Sequence, residues 1–319
     1  MSKDFQDFNS LVRKTVCDRR FSRLEIVDRT QRPMRIHHLN CGCMCPIGGA
    51  LFDGFSRGLT SHLVCHCLLI ETNQGLVLVD TGFGLRDIQA PRSRLSPFFI
   101  AFNNIQFDRQ YSAIDQIERL GFSPEEVRHI ILTHLDFDHA GGLEDFPNAT
   151  VHVMQTEIEA TRDRQGFIAH RRYRPGQWDE VKSWKFYAAN GESWFGFEAV
   201  RDLEGLPPEI LFIPLTGHTR GHAGVAIETS EGWLLHAGDA YFYRDEMKPE
   251  YHCTPGLKAY QWMMEVDRKA RLLNQDRLRQ LTLSNDAKLF CSHDAIEFKA
   301  YAEQSANENR SSSSVSGRS

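Results

Sequence analysis

A chain of 319 residues, 41% hydrophobic and 25% charged, has the make-up of a globular protein with room for one large α/β domain or two ordinary ones. Its net charge of −5 argues against a nucleic-acid partner bound through phosphate neutralisation, and no run approaches the ~18 unbroken apolar residues of a membrane span. The opening "MSKDFQDFNSLVRKTVCDRRF" lacks the apolar core of a secretory signal, so the expected location is cytoplasmic.

Residues 1–33 are polar and charged and read as an N-terminal arm. From Met34 the texture changes. "MRIHHLN", "HLVCHCLLIET" and "GLVLVDTG" read as strands, the last two joined by a turn at "TNQG". A long connection over 84–110 carries "APRSRLSPFF" and reads as a functional loop or lid. "SAIDQIERLGFSPEEV" predicts an amphipathic helix stopping at Gly121, then a turn capped by Ser123 with Glu126 three residues on. "HIILT" and "ATVHVM" are short strands, the second followed by a helix from Gln155 to about Arg164. The aromatic and basic stretch 165–208 is expected to cover one face. "EILFIPLTGHTRGHAGVAIET" gives strand, loop and strand, and "GWLLHAGDAYF" a strand ending in an acidic loop. Residues 257–281 read as helical, "KLFCSHD" as a last strand and "AIEFKAYAEQ" as a last helix. The Ser-rich tail, 306–319, is expected to be disordered, which leaves 34–305 as the folded domain.

The eight cysteines include Cys41, Cys43 and Cys45 in "NCGCMCPIGG" and Cys65 and Cys67 in "LVCHCLLIE". Their spacing is a poor match to zinc-finger pairs, and alternation in a strand puts Cys65 and Cys67 on one face. Buried free thiols are the expectation.

The chemistry concentrates in "ILTHLDFDHAGG", 131–142, where His134, Asp136, Asp138 and His139 follow an apolar strand. Imidazole and carboxylate suit zinc, iron or manganese. Asp80 ends "LVLVD", His218 and His222 lie in "TGHTRGH", Asp239 ends "WLLHAGD" and His293 ends "KLFCSHD". Each is an acid or imidazole at the C-terminal end of a strand, where loops of α/β proteins build sites.

In order along the chain, VDTG, HxxxDH, GHTxGH, GD and a late SH resemble the metallo-β-lactamase superfamily across roughly residues 34–300. The resemblance implies a four-layer αββα sandwich with a metal site at one edge of the sheets. It implies that His134, Asp136 and His218 hold one divalent ion, that Asp138, His139 and His293 hold a second, and that Asp239 bridges them. Asp80 would orient ligands from behind, and His222 would be a structural hydrogen-bonding partner.

The departure is Asp136, because the commonest hydrolase pattern of the family is HxHxDH. Asp136, Asp138 and Asp239 would bring three negative charges where that pattern brings two. More anionic ligation weakens Lewis acidity, and a hard oxygen shifts preference towards manganese or iron. Two ions are expected, zinc first, with iron or manganese as alternatives.

Chemically, the resemblance implies a metal-bridging hydroxide near Asp239 attacking a carbonyl or phosphoryl centre, with Asp138 passing a proton to the leaving group. No GxSxG nucleophile motif is present. The chain looks most like the N-acyl-homoserine-lactonase-like members, which implies a small-molecule lactone or carboxylic ester substrate, and a monomer or homodimer. Phe98, Phe99 and Phe102, with Trp194, Phe195 and Phe197, could form an apolar acyl pocket, and Tyr241 or Tyr243 could hydrogen-bond a substrate carbonyl. The alternatives are a thioester hydrolase of the hydroxyacylglutathione hydrolase type, for which Arg171, Arg172 and Arg174 are the candidate basic groups, or a phosphodiesterase. A non-enzymatic metal-binding ligand or partner module is the third reading.

Overall fold

Strands β1 (Arg35–Met44), β2 (Leu63–Thr72) and β3 (Gly75–Val79) begin a mixed sheet, completed by β4 (Ile105–Gln106), β5 (Val127–Ile131), β6 (Thr150–Met154) and β7 (Trp184–Tyr187). In this computed structural model the described residues are 34–316, save 165 and 190, with side chains described to 305. The order across the sheet is β4-β1-β2-β3-β5-β6-β7, antiparallel from β4 to β3 and parallel from β3 to β7. A hairpin of β8 (Glu192–Trp194) and β9 (Phe197–Ala199) precedes a second sheet. That sheet runs β10 (Ile210–Pro214), β11 (Ala223–Thr229), β12 (Gly232–His236), β13 (Ala287–Phe290), with β12 and β13 parallel.

Strand alternation sorts the core into layers. Leu68, Ile70, Val77, Val79 and Ile131 leave the first sheet on one side and meet Ile210, Phe212, Val225, Ile227 and Phe290 of the second. Their neighbours Cys67, Leu69, Leu76, Leu78 and Ile130 point the other way, under Ile117 of the Ala113–Arg119 helix. Beyond the second sheet, Leu211, Ile213, Leu235 and Leu289 pack on Leu278 and Leu281 of the Arg268–Leu283 helix. Both faces of each sheet are thus covered, so the central strands read as unbroken apolar runs, and each buried Leu or Ile contributes about 1.5–3 kcal/mol. Helix, sheet, sheet, helix is the four-layer αββα sandwich.

Two elements differ from expectation. The 84–110 connection folds into short helices, Leu85–Gln89, Pro91–Arg94 and Pro97–Asn103, because Pro91 and Pro97 are each preset for a first helical turn. The last helix spans Ala295–Ser316, running past the boundary expected at residue 305 into the Ser-rich stretch, whose serines carry only a small helix penalty. The N-terminal arm lies outside the described residues. No helix among the described residues is long and apolar enough to cross a membrane.

Candidate metal centre

The candidate donors follow the C-terminal ends of β5, β10, β12 and β13, with Asp80 after β3 behind them. The loops are stitched together by backbone. Thr81 N and Oγ1 both donate to His139 O, Asp80 N donates to Ile131 O, and Ala223 N donates to Thr133 O. Within the motif, His139 N and Ala140 N donate to Asp136 O, closing a turn that sets Asp136 and His139 in adjoining donor sets.

Three overlapping buried groups result, His134, Asp136, His218 and Asp239, then His139, Asp239 and His293, then Asp138, His293 and Cys65; sharing His293, the last two form one second donor set. In the first, His134 Nε2 lies 3.3 Å from Asp136 Oδ2 and 3.7 Å from Asp239 Oδ2. His218 Nε2 lies 3.0 Å from Asp136 Oδ2 and 3.3 Å from Asp239 Oδ2. In the second, Asp239 Oδ1 is 3.3 Å from His139 Nε2, while His293 Nε2 is 3.2 Å from Asp239 Oδ2 and 3.7 Å from Asp138 Oδ2. A tetrahedral ion with ~2.0–2.1 Å bonds spaces its ligands about 3.3 Å apart, so these separations suit an ion at each centre. His134 Nε2, His139 Nε2 and Asp239 Oδ1 are moreover buried without a hydrogen bond, which a cation would satisfy. Asp239 is common to both sets.

The electrostatics follow from that crowding. Burial pushes the Asp239 carboxyl up, but His293, His139, His218 and His134 around it outweigh burial and hold it well below its usual range. His139 is raised, its burial overcome by Asp239, Asp80 and Asp138. Asp138 is raised by burial, opposed by His139 and His293 and reinforced by Asp239 and Asp136.

Behind the donors stands a ring of supports. Asp80 takes the left-handed conformation, φ +57°, uncommon for a residue with a Cβ. That strain aims its carboxylate at Thr133 N and Oγ1 and at His139 Nδ1, 2.8 Å in each case. His222 is hydrogen-bonded at both nitrogens, Nδ1 to Leu215 O at 2.9 Å and Nε2 from Asp239 N at 2.8 Å. Gly238 is required there: at φ +55°, a Cβ would come within 2.5 Å of His222 Nε2.

Glu157 has no local motif to announce it. Fully buried on the Gln155–Arg162 helix, it accepts from Leu135 N at 3.0 Å, Thr219 Oγ1 at 2.6 Å and Gly221 N at 3.0 Å, tying the two histidine loops to one carboxylate. Cys65 lies with Asp138 and His293 at the second donor set. Cys41, Cys43, Cys65, Cys67 and Cys291 are buried free thiols, and Cys43 Sγ lies 3.6 Å from Cys45 Sγ and 3.3 Å from His62 Nδ1.

Three expectations need correction. Tyr241 is in the outer core of the second sheet, its hydroxyl donating to Glu297 at 3.0 Å, whereas Tyr243 packs in the cluster of Phe242 and Tyr260, with Arg244 and His252 against its ring. Residues after Asp239 turn instead of continuing the strand, so Phe242 takes the inward place, 5.7 Å from His218 and 5.1 Å from His293 between ring centres. Tyr260 packs on Phe242, 5.7 Å between ring centres, and accepts from Asn103 Nδ2 at 3.4 Å; burial, reinforced by Asp138 and opposed by that bond, raises its hydroxyl. Trp194, Phe195 and Phe197 lie with the β8–β9 hairpin, Trp194 and Phe197 packing in the outer core of the second sheet, while Phe98, Phe99 and Phe102 do join Phe137 and Tyr260. Arg172, expected with Arg171 and Arg174 to offer a basic group to a thioester substrate, is 1% exposed and paired instead with Asp136, Nε to Oδ1 at 2.6 Å and Nη2 to Oδ2 at 2.5 Å. Its charge cancels the extra negative charge at Asp136, so the expected loss of Lewis acidity does not follow from the ligand count.

Comparison with known proteins agrees with this geometry. The family model for the metallo-beta-lactamase superfamily matches residues 61–293. A probable metallo-hydrolase of Mycobacterium tuberculosis is 37% identical over 270 residues, covering 82% of this chain and 81% of that protein. The N-acyl homoserine lactonase of Bacillus thuringiensis is 24% identical over 267 residues, 80% of this chain and 93% of that one. Among solved structures, an N-acyl homoserine lactone hydrolase with N-hexanoyl-L-homoserine at its metal center superposes with TM-score 0.63 at 22% identity, covering 84% and 97% of the two chains. The dizinc quorum-quenching lactonase AidC gives 0.55 at 18%, covering 83% and 88%. The chain belongs to the metallo-beta-lactamase superfamily and is a metal-dependent hydrolase.

Proposed function

We propose that the enzyme opens a small lactone or carboxylic ester carrying an apolar acyl group, with two divalent ions, zinc foremost, held by His134, Asp136, His218 and Asp239 and by Asp138, His139, His293 and Asp239. The observation that carries the reading is the juxtaposition of these buried donor sets with an apolar wall of Phe99, Phe137, Phe242, Tyr260 and Met264. An uncharged acyl chain gains by leaving water against such a wall, whereas a phosphodiester or a glutathione conjugate would bring charge to it. The lactonase relatives favour the same substrate class.

Ions in such a centre supply Lewis acidity, activating water at neutral pH and polarising a carbonyl. The chain's own side chains do the rest. Asp138, beside His293 at the second donor set, is placed to carry a proton to the departing alkoxide. Asp239, held ionised by four imidazoles, keeps the two donor sets together. Asp80 fixes the ring orientation of His139 by accepting from Nδ1. Tyr260, close to the three carboxylates, is placed to donate its hydroxyl to a substrate oxygen.

The test is a panel of N-acyl homoserine lactones of graded chain length, aryl esters, thioesters and phosphodiesters, each run with zinc, manganese and iron. The reading expects lactones or esters to have the highest kcat/KM, with KM falling as the acyl chain lengthens. A higher value for the thioester or phosphodiester would overturn it.

A further inference from the structure

Arg172 ends the Phe167–Arg172 helix, and every nitrogen of its guanidinium meets a partner within the protein. Nε and Nη2 hold the two oxygens of Asp136. Nη2 also lies 2.7 Å from His218 Nε2, and Nη1 reaches Met264 O at 2.6 Å and His218 O at 3.4 Å. A guanidinium bound on every side within the protein is fixed in place.

Two of its contacts are donor atoms of the first metal pocket. A neutral imidazole nitrogen has one lone pair, which can point to an N–H or to an ion but not to both. The second pocket has no such competitor: Asp138, His139 and His293 have no guanidinium contact among the described residues. The supports are uneven too. His139 Nδ1 is anchored on Asp80, His293 Nδ1 on Val64 O at 2.7 Å and His134 Nδ1 on Thr133 Oγ1 at 2.9 Å. His218 Nδ1 is buried with no partner, so the ring that faces Arg172 lacks the rear hydrogen bond that metal-binding histidines ordinarily have.

We propose that Arg172 makes the two pockets unequal, so that the Asp138, His139, His293 and Asp239 pocket loads first and the His134, Asp136 and His218 pocket fills only at higher metal concentration. The inference rests on the reading of both donor sets as metal sites. An ion in the first pocket must displace the guanidinium from His218 Nε2, which also lies 3.0 Å from Asp136 Oδ2, share Asp136 with it and stand beside its positive charge. Loss of one charge-assisted hydrogen bond and this repulsion separate the two dissociation constants by on the order of a hundredfold.

The experiment is a titration of the chelator-stripped full chain with cobalt(II), followed by visible absorption, with zinc affinities from a competing chelator. Wild type is expected to bind two equivalents in two steps. Arg172→Met should tighten the weaker step at least tenfold and leave the tighter one unchanged. Should the Met variant fail to fold by circular dichroism, Arg172→Lys keeps the charge but cannot bridge both donors, and should narrow the gap. Two equivalents bound by wild type in a single step, or a gap unchanged in whichever variant folds, overturns the proposal while leaving the metal centre intact. No cobalt or zinc bound by wild type would instead overturn the metal reading itself.

Discussion

Replacing Glu157 by Ala tests whether one buried carboxylate holds the two histidine loops together. The change leaves Leu135 N and Gly221 N as buried donors without their acceptor, while the Thr219 hydroxyl can rotate. An orphaned buried donor costs about 1–3 kcal/mol, and a water entering the space left by the side chain recovers part of this, so a net loss of about 3 kcal/mol is expected. Burial pushes the Glu157 carboxyl up and so counts against the wild type, which keeps the figure below the simple sum. At ~2–4 °C per kcal/mol for a domain of this size, Tm should fall by about 6–12 °C. Glu157→Gln keeps one acceptor oxygen and should lose about half as much. Thermal unfolding of both variants, read by circular dichroism with and without zinc, measures this, and metal retention should fall with the stability because both loops carry ligands. An Ala variant within about 0.5 kcal/mol of wild type, with undiminished metal retention, would refute the reasoning.

Tyr241→Phe should lower stability by about 1–2 kcal/mol through loss of its bond to Glu297, and leave kcat/KM unchanged, because the hydroxyl points into the outer core. Denaturant midpoints and steady-state kinetics on the same preparation check both halves. Burial, reinforced by Asp294, raises Glu297 from 4.5 to about 8. The folded state therefore binds that proton more tightly than the unfolded state, and this contribution to stability declines as pH rises from ~4.5 to about 8. Glu297→Gln should flatten that part of the pH–stability curve, and an unchanged slope would count against the assignment. Stripping metal with a chelator should lower Tm by about 5–11 °C, the ~2.7 kcal/mol that a ligand at a hundredfold excess over its Kd contributes. Differential scanning fluorimetry with zinc added back reads the reversal.

Much of this molecule was legible from order and spacing alone. Acids and imidazoles at strand ends mark the candidate donors because a sandwich brings those ends to one edge, and the structure brings Asp136, Asp239 and His293 together there with Asp80 behind them. Arg172 was not legible in that way. It lies 36 positions from its partner, in a run where Arg171 and Arg174 are more exposed, so only the fold distinguishes it. Glu157 was hidden in the same way, its three donors coming from two remote loops. Tyr241 misled because strand alternation was carried past Asp239, where the chain turns and gives the inward position to Phe242. Local patterning reports periodicity, whereas these contacts depend on where loops cross.

The most direct test of the account is turnover of an N-acyl homoserine lactone by metal-stripped protein as zinc is returned, with bound zinc measured on the same samples. The account predicts negligible hydrolysis by the stripped chain, recovery that tracks occupancy, and no recovery in Asp239→Ala, which removes the carboxylate common to both donor sets. Lactone hydrolysis at the full rate by the stripped protein, or by Asp239→Ala, would contradict it.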